Sequence, residues 1–210
     1  MAVKQGITGG PRRLTARGAA TRARIVTAAA DLMYLRGVGA TSMDDVIEAS
    51  GTGKSQLYHY FADKDALVLA VVSTQIDRVL GFQEPLLRGL DSLRGLQRWR
   101  DAVVSGNDVH GGGHGCPLGS LAAELADHSE PVRAALVHGF DAWEALIADG
   151  LSRMRATGEL TADADPDGLA AGVMAALQGG LLLAQTRRDP RRLAIAIDMA
   201  LDHVRAAARP

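Results

Sequence analysis

The stretch Thr41-Ser-Met-Asp-Asp-Val-Ile-Glu-Ala-Ser-Gly-Thr-Gly-Lys-Ser-Gln-Leu-Tyr-His-Tyr-Phe61 leaves little freedom in how it folds. Ser42 is suited to cap a helix, and Asp45 three residues later completes a capping box. Val46, Ile47 and Ala49 give that helix a short apolar face. Gly51 stops it, because glycine enters the left-handed turn conformation at low cost. A second helix is predicted from about Lys54 to Tyr60. Leu57 and Phe61, four apart, fall on its inner side. Lys54, Ser55, Gln56, Tyr58 and His59 then fall largely outward. An ammonium, a hydroxyl, an amide, a phenol and an imidazole on one exposed face suit phosphates and base edges in a DNA major groove.

The charge distribution agrees. The whole chain is nearly neutral, with a formal net charge of −1. Residues 1–64 carry nine Lys or Arg against five Asp or Glu, and the remainder carries fourteen against nineteen. A basic end on an acidic body is the expected footprint of a small DNA-reading head joined to a separate domain. The single cysteine excludes an intrachain disulfide and fits a reducing compartment. No apolar run reaches the roughly 18 residues of a membrane helix. The first residues have charge but no apolar segment behind it, so no signal peptide is expected. The protein is therefore expected to be cytoplasmic and away from membranes.

Thr41, Ser42, Met43, Asp45, Val46, Ile47, Gly51, Leu57, Tyr58, Tyr60, Phe61 and Lys64 together resemble the helix-turn-helix of TetR-family transcriptional regulators. Ile25, Ala28, Ala29, Leu32 and Gly37 fit the preceding helix. The resemblance is specific over residues 21–70. Ser50 stands where the family usually has Ala, and Gly53 stands where Ser or Thr usually caps the recognition helix. The resemblance implies phosphate contacts by Lys54, Tyr58 and Lys64. It also implies a homodimer on a palindromic double-stranded DNA operator, and a small hydrophobic effector, aromatic or cationic, that releases it. Gln56, with its bidentate amide, is the candidate base reader. Ser42, Ser55 and His59 complete the candidate DNA-binding set.

The fold class is all-α. A basic arm is expected over 1–18, a three-helix head over 19–64, and an effector-binding and dimerisation domain over 65–210. Further helices are predicted at about 20–36, 64–81, 92–105, 117–127, 130–157, 166–186 and 190–207. The apolar stripe Val132, Leu136, Phe140, Trp143, Ile147, Leu151 and Met154 marks one buried face of the long helix. Asp165-Pro166 and Asp189-Pro190 are cap-then-proline starts for the last two helices. Their apolar and small residues need a partner. The resemblance supplies one, a four-helix bundle across a twofold axis through Leu177, Leu181, Ile197, Leu201 and Val204. The bland reading closes these residues into the core of a single chain.

Trp99, Phe140, Trp143, Met174 and Leu177 are candidate walls of an effector cavity. Gln178, with His138 beside it, is the candidate polar anchor. Packing alone is the competing account. Arg12, Arg13 and Arg17 either lie in a solvated tail or reach DNA.

Three other chemistries are weighed and set aside. Gly51-Thr-Gly-Lys-Ser55 imitates the end of a phosphate-binding loop, but Glu48 stands where that motif needs glycine, and a helix precedes it instead of a strand. His110, His114 and Cys116 offer metal ligands on a glycine-rich segment, with no acid to orient the histidines. Cys116, just before Pro117 at a helix start, is a candidate redox switch if the helix dipole lowers its pKa. A redox- or metal-responsive regulator using that segment is thus the alternative to effector control. The phrase Gly115-Cys-Pro-Leu-Gly-Ser-Leu-Ala-Ala-Glu124 resembles one found in drug-export regulators of the family. No catalytic constellation is visible, and no cofactor or resident metal is expected.

Overall fold

In the computed structural model the described residues are 14–108 and 115–208, and they form nine helices. The chain divides into two compact units, Met1–Leu67 and Val68–Pro210.

The first unit is built on α1 (Ala16–Arg36), α2 (Met43–Ser50) and α3 (Lys54–Tyr60). Helix α1 begins about four residues before the sequence-based expectation. Thr15 is the reason, since its hydroxyl accepts from the Gly18 N–H at 3.1 Å. Arg17, expected in a basic arm, is therefore helical and exposed. Arg12 and Arg13 lie outside the described residues. Ile25, Val26, Ala29, Ala30 and Met33 form the buried side of α1, and Val46 of α2 and Leu57 of α3 are fully buried.

The predicted capping box is present in α2. Ser42 Oγ accepts from the Asp45 N–H at 3.1 Å, and Asp45 Oδ2 accepts from the Ser42 N–H at 2.7 Å. The Ser42 hydroxyl and N–H hold the Asp45 carboxyl below its ordinary pKa. Its contribution to the cap is present above the ordinary carboxylate range and is lost as pH falls through it. Gly51 ends α2 at φ 61°, ψ 32°, and its N–H returns to the Glu48 carbonyl.

Helix α4 (Lys64–Leu87) starts in the first unit and continues into the second. It runs six residues beyond its expected end, through Gly81 and Pro85. Pro85 lies in the last turn and removes the bond to the Gly81 carbonyl, while the helix resumes with Arg88 N–H donating to Glu84 O at 2.8 Å.

The second unit adds α5 (Leu93–Asp108), α6 (Pro117–Leu125), α7 (Glu130–Thr157), α8 (Pro166–Arg187) and α9 (Arg191–Ala206). Helix α8 packs against α7 and α9, and α5 against α9. The α7 stripe is buried as predicted, with Phe140 half-buried at its edge. Two glycines allow α7 its close neighbours. A Cβ at Gly139 would lie 2.7 Å from Ile76 Cγ1, and one at Gly150 would lie 2.4 Å from Leu90 Cδ2. Arg153 donates to the Leu90 and Leu87 carbonyls at 2.9 and 3.0 Å, adding a side-chain tie to the turn that ends α4. A forked pair, Arg100 to Asp198 at 2.8 and 2.7 Å, joins α5 to α9.

Helix α8 corrects one expectation. It is long and apolar enough to cross a membrane by length and composition. Its apolarity has a packing cause, because Leu169, Val173, Leu177 and Ala184 face the chain's own core. Gly180 belongs to the same contact, with Leu193 Cα 3.1 Å from where its Cβ would be.

Two glycines two residues apart should respond oppositely to substitution. Gly51→Ala forces a side chain into the left-handed region and should cost about 1–2 kcal/mol. Gly53 has cap-like dihedrals, φ −78° and ψ 154°, with open space around it. Gly53→Ser should be neutral or stabilising by a few tenths of a kcal/mol. Urea unfolding of both variants checks the pair, and a stable Gly51→Ala would remove the argument.

Candidate nucleic-acid interface and effector residues

Helix α3 has only seven residues, too few to persist alone in water. Its stability comes from Leu57 and the following Phe61, both buried. Each contributes roughly 1.5–3 kcal/mol by leaving water. Arg22 lies over the Phe61 ring at 5.1 Å, and Arg24 Nε donates to the Ser50 carbonyl at 3.0 Å. With that side held, Lys54, Ser55, Gln56, Tyr58 and His59 are all exposed. Lys54 also approaches Asp44 at 3.9 Å, a solvated pair of little energetic weight. The His59 and Tyr60 rings meet edge to face at 5.1 Å.

The remaining candidates are more committed within the chain. The Ser42 hydroxyl is occupied by the capping box. Gln56 Oε1 accepts from the Gly53 N–H at 3.4 Å, so it forms half of a box whose other half glycine lacks. Lys64, the third expected phosphate contact, is half-buried. Its ammonium donates to the Val38 carbonyl at 2.6 Å, which ties the start of α4 to the turn after α1.

In the sequence Ser50 stands out only as a departure from the family's usual Ala. Its hydroxyl lies 2.8 Å from Thr52 Oγ1, in a buried pair, and donates to the Ile47 carbonyl at 3.3 Å. A hydroxyl can be buried there because Thr52, two residues on, answers it. The signal was the pair Ser50 and Thr52 flanking Gly51.

In the second unit Trp99, Trp143, Met174 and Leu177 are buried, while Phe140 and Gln178 are half-buried. His138 is exposed, which removes it as an interior anchor. Gln178 Nε2 donates to Met174 Sδ at 3.7 Å. Trp99 Nε1 donates to Gln83 Oε1 at 2.7 Å, a buried bond not anticipated from sequence.

The expected dimer residues need correction. Leu177, Ile197, Leu201 and Val204 are buried inside the single chain, and Leu181 is half-buried. The four buried residues turn into the chain's own core, while Leu181 stays partly open. The apolar groups left in solvent on the same helices are Leu182 (61% exposed), Leu183, Ile195 and Met199 (70%). Exposed Gly172, Ala175 and Gly179 continue the α8 side of this band, and a Cβ at either glycine would meet nothing within 4 Å.

His110 and His114 lie outside the described residues. Among the described residues no group of three or more His, Cys, Asp or Glu is arranged to hold a metal ion. Cys116 is buried, and that burial pushes its thiol pKa up, against smaller lowering by hydrogen bonds from Gly119, Leu118 and Gln178. This reverses the expected lowering by the helix start, because loss of hydration outweighs a partial charge.

Comparison with known proteins agrees with the geometry. The model for bacterial regulatory proteins of the tetR family matches residues 25–71. The tetracyclin repressor-like C-terminal domain model matches residues 89–200, more than half the chain. The chain belongs to the TetR family. It is 33% identical over 174 residues to an uncharacterized HTH-type transcriptional regulator in the lacX 3′ region of Lactococcus lactis, covering 80% of this chain and 85% of that one. It is 30% identical over 189 residues to the transcriptional regulator AcuR of Cereibacter sphaeroides, covering 86% of each. The crystal structure of regulatory protein TetR from Rhodobacter sphaeroides superposes with a TM-score of 0.78 at 25% identity, covering 87% of this chain and 98% of that one. This TetR-family chain is a DNA-binding transcriptional regulator with a helix-turn-helix.

The state of Cys116 gives a chemical prediction. The thiolate is the nucleophile, and burial that disfavours it leaves less of it at neutral pH. Iodoacetamide should therefore modify folded Cys116 more slowly than the unfolded chain. Stability should also fall as pH rises past the ordinary thiol range, since only the unfolded thiol ionises freely there. Mass spectrometry of timed alkylation checks the rate, and equal rates would rule out a neutral buried thiol.

Proposed function

We propose that this regulator is a repressor that binds a palindromic operator as a homodimer and is released by a small apolar effector held in its second unit. The observation that supports this most is the pairing on α3 of two buried apolar anchors with five exposed hydrogen-bonding side chains. Lys54 and Tyr58 are the proposed phosphate contacts. Gln56 is the proposed base reader, its amide nitrogen available once the carbonyl leaves Gly53. Ser55 and His59 complete the surface. Ser42 and Lys64 are proposed to act by holding α2 and α4 in place. Repression follows if the bound dimer blocks polymerase. The 115–124 phrase supports a target among drug-export genes. Family membership supports a soluble cytoplasmic protein.

Dimerisation is proposed through the exposed band of α8 and α9. Two copies are needed because one α3 reads one half-site, and half-sites lie about one helical turn, roughly 34 Å, apart. Trp99, Phe140, Trp143, Met174, Leu177 and Gln178 are the proposed effector surroundings. An effector can free DNA only by preferring the arrangement that fits successive grooves poorly. Helix α4 is the covalent path between the units, so the proposal routes coupling through it. Operator must weaken effector binding by the same factor by which effector weakens operator binding.

Two measurements test this reading. Lys54→Ala should weaken binding to all DNA sequences and reduce the slope of log affinity against log salt by about one. Gln56→Ala should instead relax preference at one base pair by about 1–3 kcal/mol, read by selection of bound fragments from the source genome. An unchanged selected operator would refute the base-reading role.

The second measurement concerns assembly. Met199→Glu should give a folded monomer by light scattering, because it places a charge at an apolar seam. Ile197→Glu should unfold the chain instead, since that side chain is fully buried within one copy. A folded, fully dimeric Met199→Glu would move the interface elsewhere.

A further inference from the structure

The interior of the second unit is poor in polar groups, and the Trp143 indole N–H among them lacks a partner. Among the described residues there, the buried polar side chains are Gln75, Gln83 and Asn107. No Asp, Glu, Lys or Arg is buried. The two tryptophans differ sharply. Trp99 is satisfied by Gln83. Trp143 is 3% exposed, and its Nε1–H has no hydrogen-bond partner among the described residues. A buried donor left unmatched costs about 1–3 kcal/mol, so its persistence calls for an explanation.

Helix register places the α4 segment and the turn after it along this part of α7. Gly139 sits against Ile76 and Gly150 against Leu90, so α7 and the α4 segment run in the same direction. Trp143 falls between these two contacts on α7. Gln83, seven residues after Ile76, falls between them on the same stripe of α4. The Gln83 carbonyl is already taken by Trp99 at 2.7 Å. Two arginines of the second unit are also engaged, Arg100 with Asp198 and Arg153 with the Leu87 and Leu90 carbonyls.

We propose that the effector is an uncharged apolar molecule bearing a carbonyl-type oxygen, and that this oxygen accepts the Trp143 indole N–H. The proposal rests on the reading that the second unit holds an apolar effector. It departs from the cationic effector expected from resemblance and keeps the aromatic one open. A cation would lose its hydration with no buried carboxylate to replace it, and an anion would find no uncommitted buried cation. A neutral carbonyl loses least on entry and gains the unmatched donor.

Four probes on one ring separate these cases: acetophenone, ethylbenzene, benzoate and benzylammonium. The full chain is labelled with nitrogen-15 at the tryptophan indoles, giving two signals assigned by Trp143→Phe. Acetophenone should bind and move the Trp143 indole proton downfield. Ethylbenzene should bind without that shift, and the two ions should bind at least about tenfold more weakly than acetophenone. Trp143→Phe should lower acetophenone affinity about 2–10-fold and leave ethylbenzene affinity unchanged. If that variant does not fold, the wild-type spectra decide alone. An unmoved Trp143 signal, equal losses for both neutral probes, tighter binding of either ion, or no binding by any probe overturns the proposal. A probe that releases operator without touching Trp143 overturns it while leaving the effector-responsive reading intact.

Discussion

The burial of Leu57 and Phe61 is the contact on which the exposed polar face of α3 depends. A helix of seven residues has no independent stability, and α3 lacks a side-chain cap because Gly53 has none to offer. Two apolar side chains on one edge must hold it. Once they are inside, helix geometry leaves Lys54, Ser55, Gln56, Tyr58 and His59 no inward direction. The polar face is thus a by-product of hydrophobic anchoring, with its orientation fixed by tertiary contact. Around this anchor Arg22 covers Phe61, Arg24 holds the end of α2, and Lys64 holds the turn after α1.

The second unit works under another constraint. Its helices approach closely where glycine permits, at Gly139, Gly150 and Gly180, and each contact admits a branched side chain or backbone from a neighbour. Close approach leaves little room for polar groups. Trp99 is paired with Gln83, while the Trp143 indole N–H has no partner among the described residues. On the outside of α8 and α9 the pattern inverts. Gly172 and Gly179 face open space beside Leu182, Leu183, Ile195 and Met199. The same two helices therefore carry one apolar face that the chain itself fills and another that it does not.

This double use explains where sequence reading succeeded and failed. The α7 stripe was legible because one face is buried and the period is regular. Helices α8 and α9 were recognised with nearly correct ends from their Asp-Pro starts. Helix α8 is apolar around most of its circumference and has no polar side to set its phase, while the α9 stripe Leu193, Ile197, Leu201 and Val204 shows a buried face without showing whether the chain itself or a second copy covers it. Leu177, Ile197, Leu201 and Val204 were accordingly assigned outward and lie inside. The early start of α1 was missed because Thr15 sits in a glycine- and arginine-rich stretch without apolar period. The Ser50–Thr52 pair was missed because a hydroxyl shows its partner only after the turn at Gly51 is made.

The sequence by itself determined the all-α class, the helix-turn-helix, the left-handed stop at Gly51 and the outward set on α3. These follow from local period, caps and conformational preference, which act within a few residues. Tertiary structure alone decided the interior side of α8 and α9, the engagement of Lys64 with Val38, the raised pKa of Cys116 and the unmatched N–H of Trp143. Each of these depends on residues distant in the chain or on exclusion of water by the packed unit. No local pattern encodes them, because desolvation and pairing are properties of the surroundings and not of the side chain.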